Sequence, residues 1–413
     1  MGRLLSVTKF LITLSQLKRI KNMHNEKIYI HAMAMNSALG ETESKQINTL
    51  SGQDLPSMCR ELGWLNDGQQ TVVGKVTSEL PEINAIFKHQ NSRNNRLALS
   101  SLSQIEDNIK QAIQEFGADR IAVVVGTSTS GISDGEQALA DGLPEDYHYH
   151  QQEVGNLGEF VADYLSLRGP TYTLSTACSS SGRVFLSAKR LLNAGLVDAV
   201  IVGASDSLCK LTLNGFHSLE ALSMEACLPF SENRKGINIG EGSAFMLLSK
   251  QKNKTGLALL GVGDSSDAHH ISAPHPEGKG AIEAMQKALQ NAQLSTNDIG
   301  YINAHGTATK LNDAMESKAI YALFKDNVPV SSTKPLTGHT LGAASIIEAV
   351  ICCLILENDL ILPKQINDGI FDASLAPIRY VTENEKPSRK VVLSNSFAFG
   401  GNNISLVFGG DNV

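Results

Sequence analysis

The sequence predicts an α/β protein with layered, buried sheets. Continuous apolar runs carry that reading: Arg120 to Gly126 (RIAVVVG), Ala199 to Gly203 and Gly300 to Ala304. Such runs mark strands covered on both faces. Stretches with helical spacing alternate with them, and that alternation places helix layers against sheets. The length agrees. A chain of 413 residues holds two to three domains or one large duplicated unit. It buries enough surface to fold without a disulfide or a metal.

The elements follow in order. Leu4 to Leu14 is apolar but broken by Lys9 and three hydroxyl residues, and no small-residue cleavage site follows. It is neither an export signal nor a span of about 20 apolar residues. Residues 1–23 read as a basic extension or as a mis-called start ahead of Met23. Lys27 to Ala34 reads as a strand and Asn36 to Gly40 as its turn. Ser92 to Phe116 carries helical spacing, with Gly117 placed to end it. Thr171 to Leu174 reads as a buried strand. Val184, Ala188 and Leu191, beside Phe185 and Leu192, give a helix with one apolar stripe, which Gly195 stops. Pro170 to Val202 and Val328 to Pro363 echo one another. Each runs strand, Ser-Thr turn, helix, then strand (VDAVIV) or strand-like LILP. Ala349 to Leu356 is apolar but too short to span a bilayer.

Composition excludes several classes. Apolar residues make up 42% and charged residues 19%, which excludes extended disorder. The net charge is −7, against the basic footprint of a nucleic-acid binder. Six scattered cysteines without a CxxC pair make neither a disulfide framework nor a cysteine zinc site. The chain reads as reduced and cytoplasmic, without stable membrane anchoring. Gly261-Val262-Gly263 lacks the third glycine of a dinucleotide loop.

One cysteine stands apart. Cys178 lies where a strand hands over to a helix, among Ala177 and Ser179 to Gly182. Free N–H groups at a helix N-terminus favour thiolate and can hold an oxyanion. Small neighbours leave room for a substrate. Cys352 and Cys353 lie inside an apolar helix, and all five other cysteines read as packing residues. His305 follows a buried strand in NAHGTAT. His339 follows Gly338 at the mouth of a helix apolar nearly all round. Glu348 is the lone charge in ASIIEAVICCLIL and needs a partner, with Lys334 available. His217, His269 and His275 read as structural, and no metal site is expected.

Five ordered motifs then resemble the β-ketoacyl-acyl-carrier-protein synthases. They are STACSSS around Cys178, PFSENRKGINIGEG from Pro229, HGTAT from His305, STKPLTGHTLGAAS from Ser332 and NSFAFGGNN from Asn395. The resemblance covers nearly everything after Lys27. It implies a thiolase-like fold, with duplicated βαβαβαββ halves in a five-layered αβαβα sandwich, divided here as 24–251 and 252–413. Cys178, His305 and His339 match the Cys-His-His of the elongating class, in fatty-acid or polyketide-type synthesis. The resemblance implies an acyl chain on Cys178, decarboxylation of malonyl carrier protein beside the two histidines, and Lys334 and Glu348 as their supporting pair. It further implies Phe399 as gate and oxyanion-hole backbone beside the N–H of Cys178. Thr307 and Thr309 would bind the pantetheine arm, with His270 and Ser272 lining the same tunnel. No cofactor is implied beyond phosphopantetheine on the acyl carrier protein. The implied partners are that carrier and a second subunit, in a homodimer or with a chain-length-factor-like chain. A non-catalytic chain-length-factor-like role is the alternative, and the intact Cys178 argues against it. A cysteine hydrolase is a further rival, disfavoured by the lack of an Asp or Asn orienter in a recognisable motif.

Three departures from the family pattern are visible. Ala398 stands where the loop usually has glycine, which predicts a stiffer gate around Phe399. The segment HSLEALSMEACLPF after Phe216 is short. Arg183 lies on the nucleophile's helix face. With RNNRLALSSLSQI from Arg93, these features look closer to synthases of aryl polyene clusters.

Overall fold

The computed structural model describes residues 27–410 with the exception of residue 146. The N-terminal extension expected at 1–23 lies outside them. Five strands build the first half: β1 (Ile28–Ser37), β2 (Ile121–Gly126), β3 (Thr171–Leu174), β4 (Ala199–Asp206) and β5 (Gly242–Ser249). They lie in the order β3-β2-β4-β5-β1. The pairs β3–β2 and β2–β4 are parallel; β4–β5 and β5–β1 are antiparallel. The second half repeats the plan with β6 (Ala258–Ser266), β7 (Tyr301–Asn303), β8 (Pro329–Ser331), β10 (Val391–Phe397) and β11 (Asn402–Gly409). Their order is β8-β7-β10-β11-β6, with the two-residue β9 (Arg379–Tyr380) beside β8. Parallel and antiparallel pairings fall at the same places. First strand meets first strand, where Ile28 and Tyr29 pair with Leu259 and Ala258.

Alternating side chains explain the apolar runs. In β4, Val200 and Val202 face inward while Ala199 and Ile201 face the outer helices. Helices α1 (Arg93–Leu102) and α2 (Asn156–Tyr164) cover the first half through Leu99, Leu102 and Phe160. Between the sheets lie α3 (Ser180–Asn193) and α6 (Ala344–Glu357). Their Phe185, Leu192, Ile346 and Ile351 pack against both inner faces. Outside the second half, α4 (Lys279–Ala292) and α5 (Lys310–Phe324) bring Met285, Met315 and Ile320 to the β7–β10 face. The layers read α, β, α, β, α. Position explains why α6 is apolar all round: every residue from Ala344 to Ile355 is buried. Each large side chain there contributes about 1.5–3 kcal/mol on burial. Among the described residues no helix is long and apolar enough to cross a membrane.

Four local expectations change. The helix expected over Ser92–Phe116 breaks at a 3-10 turn, Ser103–Ile105. Ser100 and Ser103 hydroxyls there bond the carbonyls of Leu97 and Ser100, competing with the helix ladder. Strand β3 is only half buried, because it is the last strand of the sheet. Asn36 and Ser37 extend β1, and the turn is Ala38-Leu39, closed by Gly40 N–H to Ser37 O at 2.9 Å. LILP is not a strand. Pro363 has no N–H to give, and Leu362 N–H bonds Glu385 O instead.

Candidate active site

The Cys178 turn joins β3 to α3. Ala177 takes a left-handed φ of +52°, a strained conformation for a residue with a Cβ. The serines of STACSSS hold that turn. Ser180 Oγ accepts from Thr176 N–H at 2.8 Å and donates to Ala177 O at 2.6 Å. Ser181 Oγ accepts the N–H of Ile346 at 3.1 Å, tying α3 to the start of α6. Ser345 Oγ lies 3.2 Å from the Cys178 carbonyl and 2.7 Å from Ser396 Oγ.

The equivalent turn of the second half joins β8 to α6 and carries His339. Its backbone is clamped by PFSENRKGINIGEG: His339 N–H donates to Asn238 O at 2.7 Å, and Gly240 N–H to His339 O at 3.0 Å. Gly338, at φ +69°, lets the two chains cross; a Cβ there would lie 2.8 Å from Gly240 Cα. His305 follows β7. The N–H groups of His305 and Gly306 both donate to the Glu316 carboxylate, each at 2.7 Å. Leu341 and Ala308, near these two turns, again take positive φ, +51° and +63°.

Three side chains from the two halves therefore converge. His339 Nε2 lies 2.9 Å from Cys178 Sγ. The imidazoles of His305 and His339 meet edge to face at 5.4 Å. Lys334 Nζ contacts Glu348 Oε1 at 2.5 Å, with both side chains 2% exposed. Burial, and then the Lys334 charge, hold both histidines well below the ordinary imidazole range, so they are neutral. Burial pushes the Cys178 thiol up to about 11, against the pull of Lys334 and the N–H groups of Phe399 and Cys178. Desolvation thus outweighs the thiolate preference expected of a helix N-terminus, and the resting pair is neutral thiol and neutral imidazole. Burial likewise raises the Glu348 carboxyl despite Lys334.

A cavity of about 380 Å³ opens onto this group. Cys178, His305, His339, Thr307, Thr309, Ser272 and Phe399 line it. Lys334 and Glu348 stand behind the histidines. His270 is not brought to the cavity: it is exposed, and its Nδ1 accepts the N–H groups of Ser272 and Ala273, closing a local turn. Phe216 faces Phe399 across the mouth at 5.6 Å between rings. Arg183 reaches across the central layer to Asp264 at 3.1 Å. Cys209, Cys227, Cys352 and Cys353 are buried as expected, whereas Cys59 is half exposed on the small Met58–Glu61 strand.

Sequence reading missed the buried acids. Glu316, raised by burial to about 7, holds the His305 turn. Asp313, raised to about 6, accepts Phe230 N–H at 2.8 Å. Asp206 gathers the Thr127–Thr129 loop and the N–H of Ala343. The signal existed: Asp313 and Glu316 fall at i and i+3 on the face of α5 that also carries Ile320.

The Beta-ketoacyl synthase N-terminal domain family matches residues 25–254, and the Beta-ketoacyl synthase C-terminal domain family matches 258–367. The chain belongs to the β-ketoacyl synthase family. It is a condensing acyltransferase of the 3-oxoacyl-[acyl-carrier-protein] synthase type with the thiolase-like fold. Nodulation protein E of Rhizobium meliloti (strain 1021) is 33% identical over 83% of this chain and 89% of that protein. The 3-oxoacyl-[acyl-carrier-protein] synthase 2 of Synechocystis sp. is 33% identical over 75% of this chain and 80% of its own length. Among solved structures, a chain of the complex of the ketosynthase ApeO with its chain length factor ApeC, from Xenorhabdus doucetiae, superposes with a TM-score of 0.91. That match is 48% identical over 93% of this chain and 98% of the other.

Proposed function

We propose that this β-ketoacyl synthase is the catalytic subunit of an aryl polyene or related polyketide-type system, with ordinary fatty-acid elongation as the rival pathway. The observation that carries this reading is the 48% identity over 93% of the chain to the ApeO–ApeC structure, against 33% to the synthase 2 relative.

In this reading Cys178 takes the acyl group from a carrier-protein thioester; the thiol proton leaves and carrier thiol departs. Malonyl carrier protein then loses CO2. Neutral His305 and His339 donate hydrogen bonds to the enolate oxygen. The carbanion attacks the acyl-Cys178 carbonyl, whose oxyanion meets the N–H groups of Cys178 and Phe399. Collapse expels the Cys178 sulfur, which regains a proton, and the product leaves as 3-oxoacyl carrier protein. Lys334 and Glu348 position the histidines and set the local field. Thr307, Thr309 and Ser272 bind the pantetheine arm; His270 supports the Ser272 turn.

Exposed Lys235 and Lys310, with Leu219 and Leu311, rim the mouth and suit an acidic carrier protein. The second subunit is a chain-length-factor-like chain. The enzyme works in the cytoplasm without a cofactor of its own, and its halves divide at 251/252. Mass spectrometry after incubation with acyl carrier protein tests the reading: an acyl adduct on Cys178 supports it, and no adduct makes the chain a scaffold. Condensation assays with aryl polyenoyl and saturated acyl carriers separate the two pathways.

A further inference from the structure

We propose that Cys178, His305 and His339 also form a binding site for a borderline-soft divalent cation, zinc above all, and that metal binding and acyl loading exclude each other. Among the described residues this is the only group of three or more cysteine, histidine or acidic side chains placed to hold an ion; its donor atoms all lie within 4.8 Å of one another. A tetrahedral zinc with Zn–S of about 2.3 Å and Zn–N of about 2.0 Å needs donor separations of roughly 3.3–3.6 Å. The observed separations, from 2.9 Å upward, bracket that requirement, so small side-chain shifts complete the site. The Nδ1 atoms of both histidines are buried without a partner. Neither ring is locked by its second nitrogen, and either can turn to an ion.

Charge and access are compatible. Lys334 would repel a cation, but Glu348 neutralises it at 2.5 Å. The cavity admits a hydrated ion and leaves a fourth position for water. On binding, the Cys178 S–H proton passes to solvent and a sulfur–metal bond forms. The sulfur and the two imidazole nitrogens replace metal-bound waters, which leave to solvent until one remains in the fourth position, and no electron is transferred. Without partners on the outer nitrogens, binding is reversible, unlike that of a closed structural zinc centre. The metal site rests on the geometry of three side chains; its exclusion of acyl loading rests on the proposed role of Cys178.

Cobalt(II) tests it. Chelator-stripped, reduced protein with Cys59→Ala to remove the half-exposed thiol is titrated with cobalt under argon. The expected result is a near-ultraviolet thiolate–cobalt band with tetrahedral visible bands. They saturate at one cobalt per chain and are erased by zinc. Iodoacetamide alkylation of Cys178, which needs no variant to fold, abolishes the bands, as does Cys178→Ala. His305→Ala and His339→Ala weaken binding at least ~10-fold. Zinc blocks acyl loading by mass spectrometry, and chelator restores it. Absence of the band at one equivalent, its persistence after Cys178 is alkylated or replaced, or loading unaffected by zinc would each overturn the proposal. Loss of loading in metal-free protein would instead count against the condensing role.

Discussion

Splitting the Lys334–Glu348 pair separates stability from chemistry. Both side chains are 2% exposed and touch at 2.5 Å, so removing one partner leaves the other to lose its charge or to remain buried with it. Neutralising a lone Lys at pH 7 costs about 4.6 kcal/mol from its ordinary pKa, and neutralising a lone Glu about 3.7 kcal/mol. These ceilings sit within the roughly 3–5 kcal/mol expected for breaking a buried pair. Glu348→Gln therefore destabilises at least as much as Lys334→Met at pH 7. The Lys334→Met penalty has a definite pH window. Its Glu348 has a folded pKa raised by burial, so the penalty is full at neutral pH and shrinks as pH falls toward the unfolded value. At pH 5 about 1 kcal/mol remains. Glu348→Gln gains no such relief. The double variant Lys334→Met/Glu348→Leu recovers wild-type stability or exceeds it. Because Lys334 depresses both histidines, Lys334→Met also moves the acid limb of malonyl decarboxylation to higher pH. Urea unfolding at pH 7 and pH 5 with pH–rate profiles reads all of this. Equal penalties for the singles at pH 5, or a double variant as unstable as either, would refute the argument.

Other outcomes follow from single contacts. Iodoacetamide alkylation of Cys178 climbs about tenfold per pH unit from 7 to 10, because its thiol titrates near 11; a plateau near pH 8 contradicts burial as the dominant cause. Glu316→Gln loses one of two backbone N–H partners at the His305 turn. That is about 1–3 kcal/mol, or roughly 5- to 150-fold in the condensation rate, with Cys178 acylation unchanged; parallel loss of both steps shows misfolding instead. Ala398 lies outside the left-handed region, while Gly400 and Gly401 take φ of +83° and +75°. Ala398→Gly therefore loosens the gate by about 0.5–1 kcal/mol of backbone freedom and broadens the acyl chain-length profile; an unchanged profile sinks the stiff-gate idea.

The layered fold was legible because its strands are paired and covered on both faces. Val123 and Val200 have no polar alternative at such positions. Cys178, His305 and His339 were legible through their turns, where small residues and glycines are required by close backbone crossings. Glu316, Asp313 and Asp206 were not, because their partners are backbone N–H groups on distant loops, and a backbone donor leaves no residue-type signature. His270 failed for a related reason: an imidazole beside a tunnel-lining serine carries the same letters whether it faces the tunnel or caps its own turn. LILP failed because apolar content does not reveal whether a ladder partner exists.

The duplication itself accounts for the geometry of catalysis. In each half the third strand hands over, through a short turn, to a helix of the central layer: β3 to α3 at Cys178, β8 to α6 by way of His339. The site is two copies of one turn brought face to face, and 2.9 Å is the separation of their side chains. What differs between the copies is how the flanking loops are spent. After β4, Asp206 binds its neighbouring loop and the N–H of Ala343, so the first half is locked. After β10, the equivalent position opens into Ala398, Phe399 and two left-handed glycines, held by Gly401 N–H to Ala398 O at 3.0 Å and Gly400 N–H to Ile271 O at 2.8 Å. After β7, the loop equivalent to Thr127–Thr129 carries His305 and is gripped by Glu316 from α5. A symmetric pair of turns would hold two like groups. Here a buried carboxylate ties one loop to the central layer, while the loop of the other copy presents Phe399 to the cavity that Cys178 lines.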